Sequence, residues 1–458
     1  MPARKSSRPP LPDGPYLVVG LARSGQAAAR LLAARGERVT GVDSAAPDGA
    51  ARLADDGVTV ALETDGAAEL AGARCVVKSP GVPAGAPAIV AARERGIPVI
   101  GELELAWRLL ENRFVAVTGT NGKTTVAELL GEIWRSAGEP SRVAGNVGTP
   151  LASLVGEVEA EATIVCEASS FQLEDSERFA PECAVLLNVA PDHLDRHTDL
   201  DHYLAAKLRL FANQGNDDVC VYNGSDPALR GVDLGGCGRR LAFCRDRGDG
   251  DDCRAVAAGG VLELFDEPLI AANELLLPGP HNLDNAAAAA LAAAAMGIHR
   301  GAIAAALRSF AGVAHRLERV RELGGVRYVN DSKATNVAAA AAALRSFDGG
   351  VRAILGGSLK GGRFDELADP VAERCRACYL IGEAAERLED ELAPAWEAGV
   401  ARRRCEGLAA ALAAAAADAA PGEVVLLAPA CASFDTYSDY EARGEHFREL
   451  VAALPGPG

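Results

Sequence analysis

Along this chain, short runs in which nearly every position is apolar alternate with longer stretches whose apolar residues recur at helical spacing. The first kind suits strands buried on both faces of a parallel sheet, the second amphipathic helices packed against it. From the N-terminal end, the alternation predicts a strand over 16–19, a helix over 24–35 closed by Gly36, a strand over 38–42 and another over 75–77 that runs into Ser79-Pro80-Gly81. Further along it predicts strands over 114–117, 162–166 and 183–188, then 326–330, 351–355, 379–382 and 424–427. Alanine-rich segments at 285–295, 338–343 and 409–417 read as helices, because alanine has the best helix propensity.

Strands and helices in strict alternation imply α/β architecture. With 458 residues the chain exceeds one core, and breaks near Glu102 and Gly312 divide it into three α/β domains in series. The expectation is an N-terminal Rossmann-like domain over 1–103, a central P-loop ATP-binding domain with a mainly parallel sheet over 104–312, and a C-terminal Rossmann-like domain over 313–458.

Composition narrows the function classes. Lys and Arg number 46 against 63 Asp and Glu, and a net charge of −17 argues against nucleic acid as partner. Anionic ligands must then be held by local devices. No apolar core follows the basic residues Arg4, Lys5 and Arg8, and the apolar run 285–298 is too short for a bilayer, so a cytoplasmic chain without membrane insertion is expected. The eleven cysteines are expected to be reduced. Cys375 and Cys378 form a CxxC placed at the end of a helical stretch, and they read as packing residues because no second pair with zinc spacing accompanies them.

The strongest chemical signal follows the strand 114–117. Thr118-Gly119-Thr120-Asn121-Gly122-Lys123-Thr124-Thr125 is a phosphate-binding turn, and the helix after it carries apolar Val126, Leu129, Leu130, Ile133 and Trp134. Small residues let backbone N–H groups curl around phosphate oxygens, Lys123 adds positive charge, and the Thr124 hydroxyl suits Mg2+. Only two residues separate the glycines, so the loop is a variant of the usual pattern. Read structurally it would be a glycine-rich turn, but strand, lysine, threonine and amphipathic helix coincide, and ATP with magnesium is expected.

Other strand ends supply further candidates. Glu167 closes the strand 162–166, where a carboxylate faces the ligand crevice of an α/β sheet and suits Mg2+, although a solvated strand end would look the same. Asp192, His193 and Asp195 follow the strand 183–188 and suit a second metal or a proton transfer as well as an ordinary polar loop. Lys207 interrupts a helical stripe of Leu200, Tyr203, Leu204, Leu208 and Phe211. A lysine there is either buried, with a lowered pKa that permits carbamate formation with CO2, or snorkels to solvent. Gly20, Gly25 and Asp43 match a dinucleotide fingerprint in outline, but Ala22 replaces its middle glycine, which favours a sugar-nucleotide or structural role over NAD. In the last domain the runs 331–336, 356–362 and 428–435 carry glycines, hydroxyls and lysines at three strand ends, forming a crevice suited to an anionic second substrate.

Together these segments resemble the muramyl ligases of cell-wall synthesis over nearly the whole chain. The resemblance rests on TGTNGKTT at 118–125, GNVG at 145–148, EASSFQLE at 167–174, NVAPDHLDRH at 188–197, AAKLRLF at 205–211, GPHNLDNAAAA at 279–289, HRLE at 315–318, NDSKATN at 330–336 and ACASFD at 430–435. The last two point to the glutamate-adding branch. The resemblance implies ATP-driven amide formation, adding D-glutamate to UDP-N-acetylmuramoyl-L-alanine through an acyl phosphate in peptidoglycan precursor synthesis, by a monomer. It implies that Gly119, Thr120, Asn121, Gly122, Lys123, Thr124, Thr125, Asn285, Arg316 and Asp331 contact ATP. Two Mg2+ ions would be held, one by Thr124 and Glu167, the other by His193 and carbamylated Lys207; Lys123, Glu167, His193 and Lys207 would carry the catalysis. Arg23, Ser24, Asp43, Ser79, Pro80, Gly81 and Asn146 would cradle the UDP-sugar, and Lys333, Thr335, Lys360, Ser433 and Tyr440 the amino acid. Ala45, Leu359 and Tyr440 stand where relatives commonly carry other residues.

Overall fold

The apolar runs form three sheets in the computed structural model, which describes residues 8–146, 148–192, 196–249, 252–277, 279–359 and 363–456. Residues up to Phe310 make one compact unit and those from Ala311 another. The first sheet is wholly parallel, in the order Thr59–Leu62, Val39–Asp43, Tyr16–Val19, Cys75–Lys78, Val99–Gly101. Its strand order reverses between Tyr16–Val19 and Cys75–Lys78, the position where α/β sheets open a crevice at their carboxyl ends. Gly20 stands there at φ +87°, and a Cβ on Gly25 would lie 1.8 Å from the Gly20 carbonyl oxygen. The two glycines of the first turn therefore serve close strand-to-helix packing.

The second sheet has nine strands. From one edge the order is Ser141–Gly145, Thr163–Glu167, Phe114–Thr118, Cys183–Leu186, Val219–Asn223, Arg239–Cys244, Cys253–Ala258, Val261–Leu264 and Glu267–Ala271. It is parallel as far as Cys253–Ala258 and ends in antiparallel strands. Phe114–Thr118 lies in its interior, buried throughout. One face packs the helices Lys123–Ser136, Pro280–Ala295 and Arg300–Ser309; the other packs Glu102–Leu109 and Leu200–Ala212. The alanines of Pro280–Ala295 are nearly all buried, which lets that helix approach both the sheet and the helix Lys123–Ser136 closely.

In the second unit a six-stranded sheet runs Glu318–Leu323, Val326–Asn330, Val424–Leu427, Val351–Gly356, Cys375–Ile381, Ala401–Arg404. Only its first pair is antiparallel. Cys375 caps the helix Ala368–Arg374, as the sequence places it, and opens the strand Cys375–Ile381, which also contains Cys378; both are buried packing residues. The expectation that all cysteines are reduced needs correction, since Cys244 and Cys253 are joined by a disulfide between neighbouring strands. Strand adjacency brings those two residues together, and no spacing rule in the sequence reports it. No helix among the described residues is long and apolar enough to cross a membrane.

Within the first unit, a buried ion pair ties the first sheet to the second. Lys78, at the end of Cys75–Lys78, donates to Asp175, which follows the helix Ser170–Glu174; neither side chain is more than 2% exposed. The Asp175 carbonyl also accepts from the Gly101 N–H at 2.9 Å. Replacing Asp175 with Asn leaves a buried ammonium without its counter-ion, and chemical denaturation should show a loss of about 3–5 kcal/mol. Lys78→Met combined with Asp175→Leu should recover most of that loss.

Candidate functional site

The phosphate-binding turn sits where the sequence places it, between Phe114–Thr118 and the helix Lys123–Ser136. Its two glycines adopt φ of +156° and +84°. A Cβ on Gly119 would meet the Leu187 side chain at 3.0 Å, and one on Gly122 would meet Asn285 Oδ1 at 2.4 Å. Glycine is required at both points, and Asn285 on the helix Pro280–Ala295 is thereby set against the loop. Neighbouring chain holds the turn open. Asn188 accepts from the Thr120 and Asn121 N–H groups at 3.0 and 2.8 Å and donates back to the Asn121 carbonyl. The Thr120 hydroxyl meets the Ala190 backbone and lies 3.3 Å from the Tyr203 hydroxyl.

Two lysines converge on one oxygen. Lys123 Nζ donates to the carbonyls of Gly119 (2.9 Å) and Thr120 (2.8 Å), and Lys207 Nζ donates to the Gly119 carbonyl from the opposite face of the sheet (2.9 Å). Lys207 is 1% exposed, so it does not snorkel; its Nζ also lies 4.2 Å from the centroid of the Tyr203 ring. Burial, seconded by the charge of Lys123 and opposed by Asp192, brings its pKa down to about 7. A substantial neutral fraction at neutral pH makes this amine nucleophilic, which is the property carbamate formation requires.

Glu167 ends the strand beside Phe114–Thr118 and is 3% exposed. Its carboxylate accepts from Asn146 Nδ2 at 3.1 Å, and its carbonyl accepts from the Asn146 N–H at 2.8 Å. Gly145 makes that contact possible, since a Cβ there would strike the Glu167 carbonyl oxygen at 2.3 Å. Thr124 is buried in the first turn of the loop helix. The Thr124 hydroxyl in the loop helix and the Glu167 carboxylate at the neighbouring strand's end are hard oxygen donors of the kind Mg2+ prefers. Among the described residues no three His, Cys, Asp or Glu gather as a metal cluster. His193 and Asp195 lie outside the described residues.

Of the residues expected to cradle a sugar nucleotide, Asp43 and Ser79 lie at carboxyl ends of the first sheet, whereas Asn146 lies on the second sheet beside Glu167. Asp43 accepts from the Leu21 and Ala45 N–H groups at 2.6 and 2.9 Å, so both its oxygens also order the loops. Arg23 donates to the Gly148 carbonyl, and Ser79 lies beneath Gly20. Arg196, within the run 188–197 but given no role there, lies over the Phe171 ring and donates to the carbonyls of Gly81 and Val82. A cleft beside the loop helix is lined by Thr125, Leu129, Asn282, Asn285, Ala286 and Phe310.

In the second unit, Asp331 N–H donates to Leu427 and its carboxylate accepts from Leu317 N–H. Burial raises its pKa to about 6, with Arg316 and Lys333 pulling the other way. Lys333 Nζ lies 5.9 Å from the Tyr440 ring centroid, and Ser433 is buried where the chain leaves Val424–Leu427. Arg316, Asp331, Lys333 and Tyr440 are thus brought to one end of this sheet. Lys360 lies outside the described residues.

Profiles of three families match along the chain: the Mur ligase MurD-like N-terminal domain over 15–101, the Mur ligase middle domain over 117–293 and the Mur ligase glutamate ligase domain over 315–431. Among curated proteins, the UDP-N-acetylmuramoylalanine–D-glutamate ligase of Acidobacterium capsulatum is 42% identical over 449 residues, covering 96% of each chain. The protein of the same name from Anaeromyxobacter dehalogenans is 44% identical, covering 95% of this chain and 96% of its own. Among solved structures, the UDP-N-acetylmuramate–alanine ligase of Thermotoga maritima aligns with a TM-score of 0.55 at 18% identity over 96% of this chain and all of its own. The MurF ligase of the same organism, in complex with ADP, gives 0.52 at 19% over 90% and 94%.

The depressed pKa of Lys207 has a defined consequence for stability. Between about pH 7 and the ordinary lysine value the unfolded chain binds the extra proton, so stability rises with pH across that window. In CO2-free buffer, wild type should gain about 2 kcal/mol relative to Lys207→Met between pH 7 and 9 by urea denaturation. Parallel pH profiles for the two proteins would contradict a buried, easily neutralised amine.

Proposed function

The chain belongs to the Mur ligase family, and we propose that it joins D-glutamate to UDP-N-acetylmuramoyl-L-alanine, hydrolysing ATP to ADP, in peptidoglycan precursor synthesis. The observation that carries the chemistry is the convergence of Lys123 and Lys207 on the Gly119 carbonyl at the end of an interior strand, an arrangement that an incoming polyphosphate completes. Choice of acceptor and amino acid rests on the full-length similarity to D-glutamate ligases.

In the proposed reaction the alanyl carboxylate attacks the γ-phosphorus of ATP, releasing ADP and leaving an acyl phosphate. The amine of D-glutamate then attacks the acyl carbon, phosphate departs and the amide forms. Phosphoryl transfer asks mainly for positioning and charge neutralisation. Residues 119–125 would hold the phosphates, with Lys123 on the β- and γ-groups, and Asn285 would also contact ATP. Thr124 and Glu167 would hold one Mg2+, and His193 with carbamylated Lys207 a second. Bound Mg2+ supplies positive charge to the phosphate oxygens. Arg23, Ser24, Asp43, Ser79, Pro80, Gly81 and Asn146 would bind the UDP-sugar. In the second unit, Arg316 and Asp331 would contact ATP, and Lys333, Thr335, Lys360, Ser433 and Tyr440 the amino acid. We assign the three domains to 1–103, 104–312 and 313–458, acting as a cytoplasmic monomer.

Purified protein given ATP, Mg2+ and UDP-N-acetylmuramoyl-L-alanine should release phosphate and yield a product heavier by one glutamate residue only when D-glutamate is present. Product with L-glutamate would move the specificity assignment, and phosphate release independent of acceptor would sink the ligase reading. Carbamylation has its own readout. With 13C-bicarbonate, wild type should show a carbamate carbon resonance that is absent from Lys207→Met and disappears on acidification; identical spectra would remove the modification.

A further inference from the structure

Arg443 occupies the first turn of the helix Tyr440–Ala452 and is 1% exposed. Its Nε donates to Ser332 Oγ (3.0 Å), Nη1 to the Ala432 carbonyl (3.0 Å), and Nη2 to the carbonyls of Ser332 (3.0 Å) and Cys431 (3.1 Å). All four acceptors are neutral oxygens, while Asp435 acts on the charge only through space. Burial lowers its pKa, to about 10. A cation buried without a bonded carboxylate is costly, and the positive end of its own helix adds to the cost. Fold stability alone does not explain a guanidinium here.

Its hydrogen bonds explain more. Ser332 precedes Lys333 and Thr335, and Ala432 precedes Ser433, so one side chain ties together two loops that leave different strands. Ser332 Oγ passes its own hydrogen to the Tyr440 carbonyl at 2.8 Å. The third strand end joins through Gly357, where a Cβ would lie 2.1 Å from the Ala432 carbonyl oxygen and 3.0 Å from Arg443 Nη1. The planar fork of arginine serves several carbonyls at fixed angles, which a lysine cannot do.

We propose that Arg443 is a positioning residue for the amino-acid substrate, its guanidinium clamping the loops that carry Lys333, Thr335, Ser433 and Tyr440 and its charge, bonded to no carboxylate, favouring a dicarboxylate. The proposal rests on the amino-acid assignment made above. A fixed positive charge behind the pocket raises the affinity of an anion without touching it, and the loops it bonds carry Lys333, Thr335 and Ser433.

Steady-state kinetics on the full chain test this, with wild type, Arg443→Met and Arg443→Lys. Removing the charge should raise KM for D-glutamate roughly 10- to 100-fold, the range expected for losing charge-assisted hydrogen bonds, with KM for ATP and for the acceptor within about twofold of wild type. Arg443→Lys should fall between the two, and added salt should raise the D-glutamate KM of wild type more than that of Arg443→Met. Equal changes in all three KM values, or none, overturn the proposal, and a Lys variant indistinguishable from Met overturns its electrostatic part. Should Arg443→Met fail to fold by circular dichroism, Ser332→Ala removes the Nε acceptor alone and should raise the D-glutamate KM roughly 3- to 10-fold; an unchanged value overturns the clamp. A wild-type protein that makes no product from D-glutamate overturns the assigned reaction itself, an outcome read before any variant is compared.

Discussion

Two lysine side chains donating to one carbonyl oxygen set the terms for the centre of this protein. Lys123 reaches Gly119 from the loop helix, and Lys207 reaches it from a helix on the other side of the sheet. When both carry charge each raises the other's electrostatic energy, and burial together with Lys123 relieves this by drawing the Lys207 pKa down to about 7. The surrounding fold bears that cost through packing. Helices on both faces of the nine-stranded sheet are cemented by aliphatic and alanine-rich cores, and the turn itself is pinned by Asn188 and Thr120. What results is a site organised for an anion before the anion arrives, the condition under which electrostatic stabilisation needs little reorganisation.

The same economy recurs at the other strand ends. Asp43 bonds the N–H groups of its own loops, Glu167 is aimed by Asn146, and Asp331 is fixed by Leu317. Each carboxylate is oriented by neighbouring chain and stands where a ligand of an α/β sheet would meet it. The Lys78–Asp175 pair secures the crevice of the first sheet to the central one within a single compact unit, so the turn Ser79-Pro80-Gly81 and the residues around Glu167 share a rigid frame. In the second unit Arg443 has the corresponding role for three converging strand ends.

Where local pattern and fold part company, the cause is shared. The strand Ala401–Arg404 carries no apolar signature because all four residues are exposed at a sheet edge, where arginines paired with Glu389 replace an apolar pattern and guard the edge. The strand that the sequence starts at 379 begins at Cys375, because helical spacing runs up to Arg374 and Cys375 caps that helix as it opens the strand. Arg443 gives no sequence signal, since an arginine is usually solvated and only its surroundings reveal otherwise; Arg196 lies in the quoted run 188–197, but nothing in that run shows that its guanidinium holds Gly81 and Val82.

The sequence by itself determined the α/β alternation, the phosphate turn and the candidate chemistry at strand ends, because buried parallel strands must be apolar and such turns demand glycine, lysine and threonine at set spacings. Lys207 was legible as an anomaly, a charge within an apolar stripe. Whether that lysine snorkels or is buried, which cysteines meet, and which arginines hold loops together were decided only by the tertiary structure. These depend on atoms far apart in the chain meeting at hydrogen-bonding or bonding distance, and on water being excluded where they meet, and neither property belongs to any local segment.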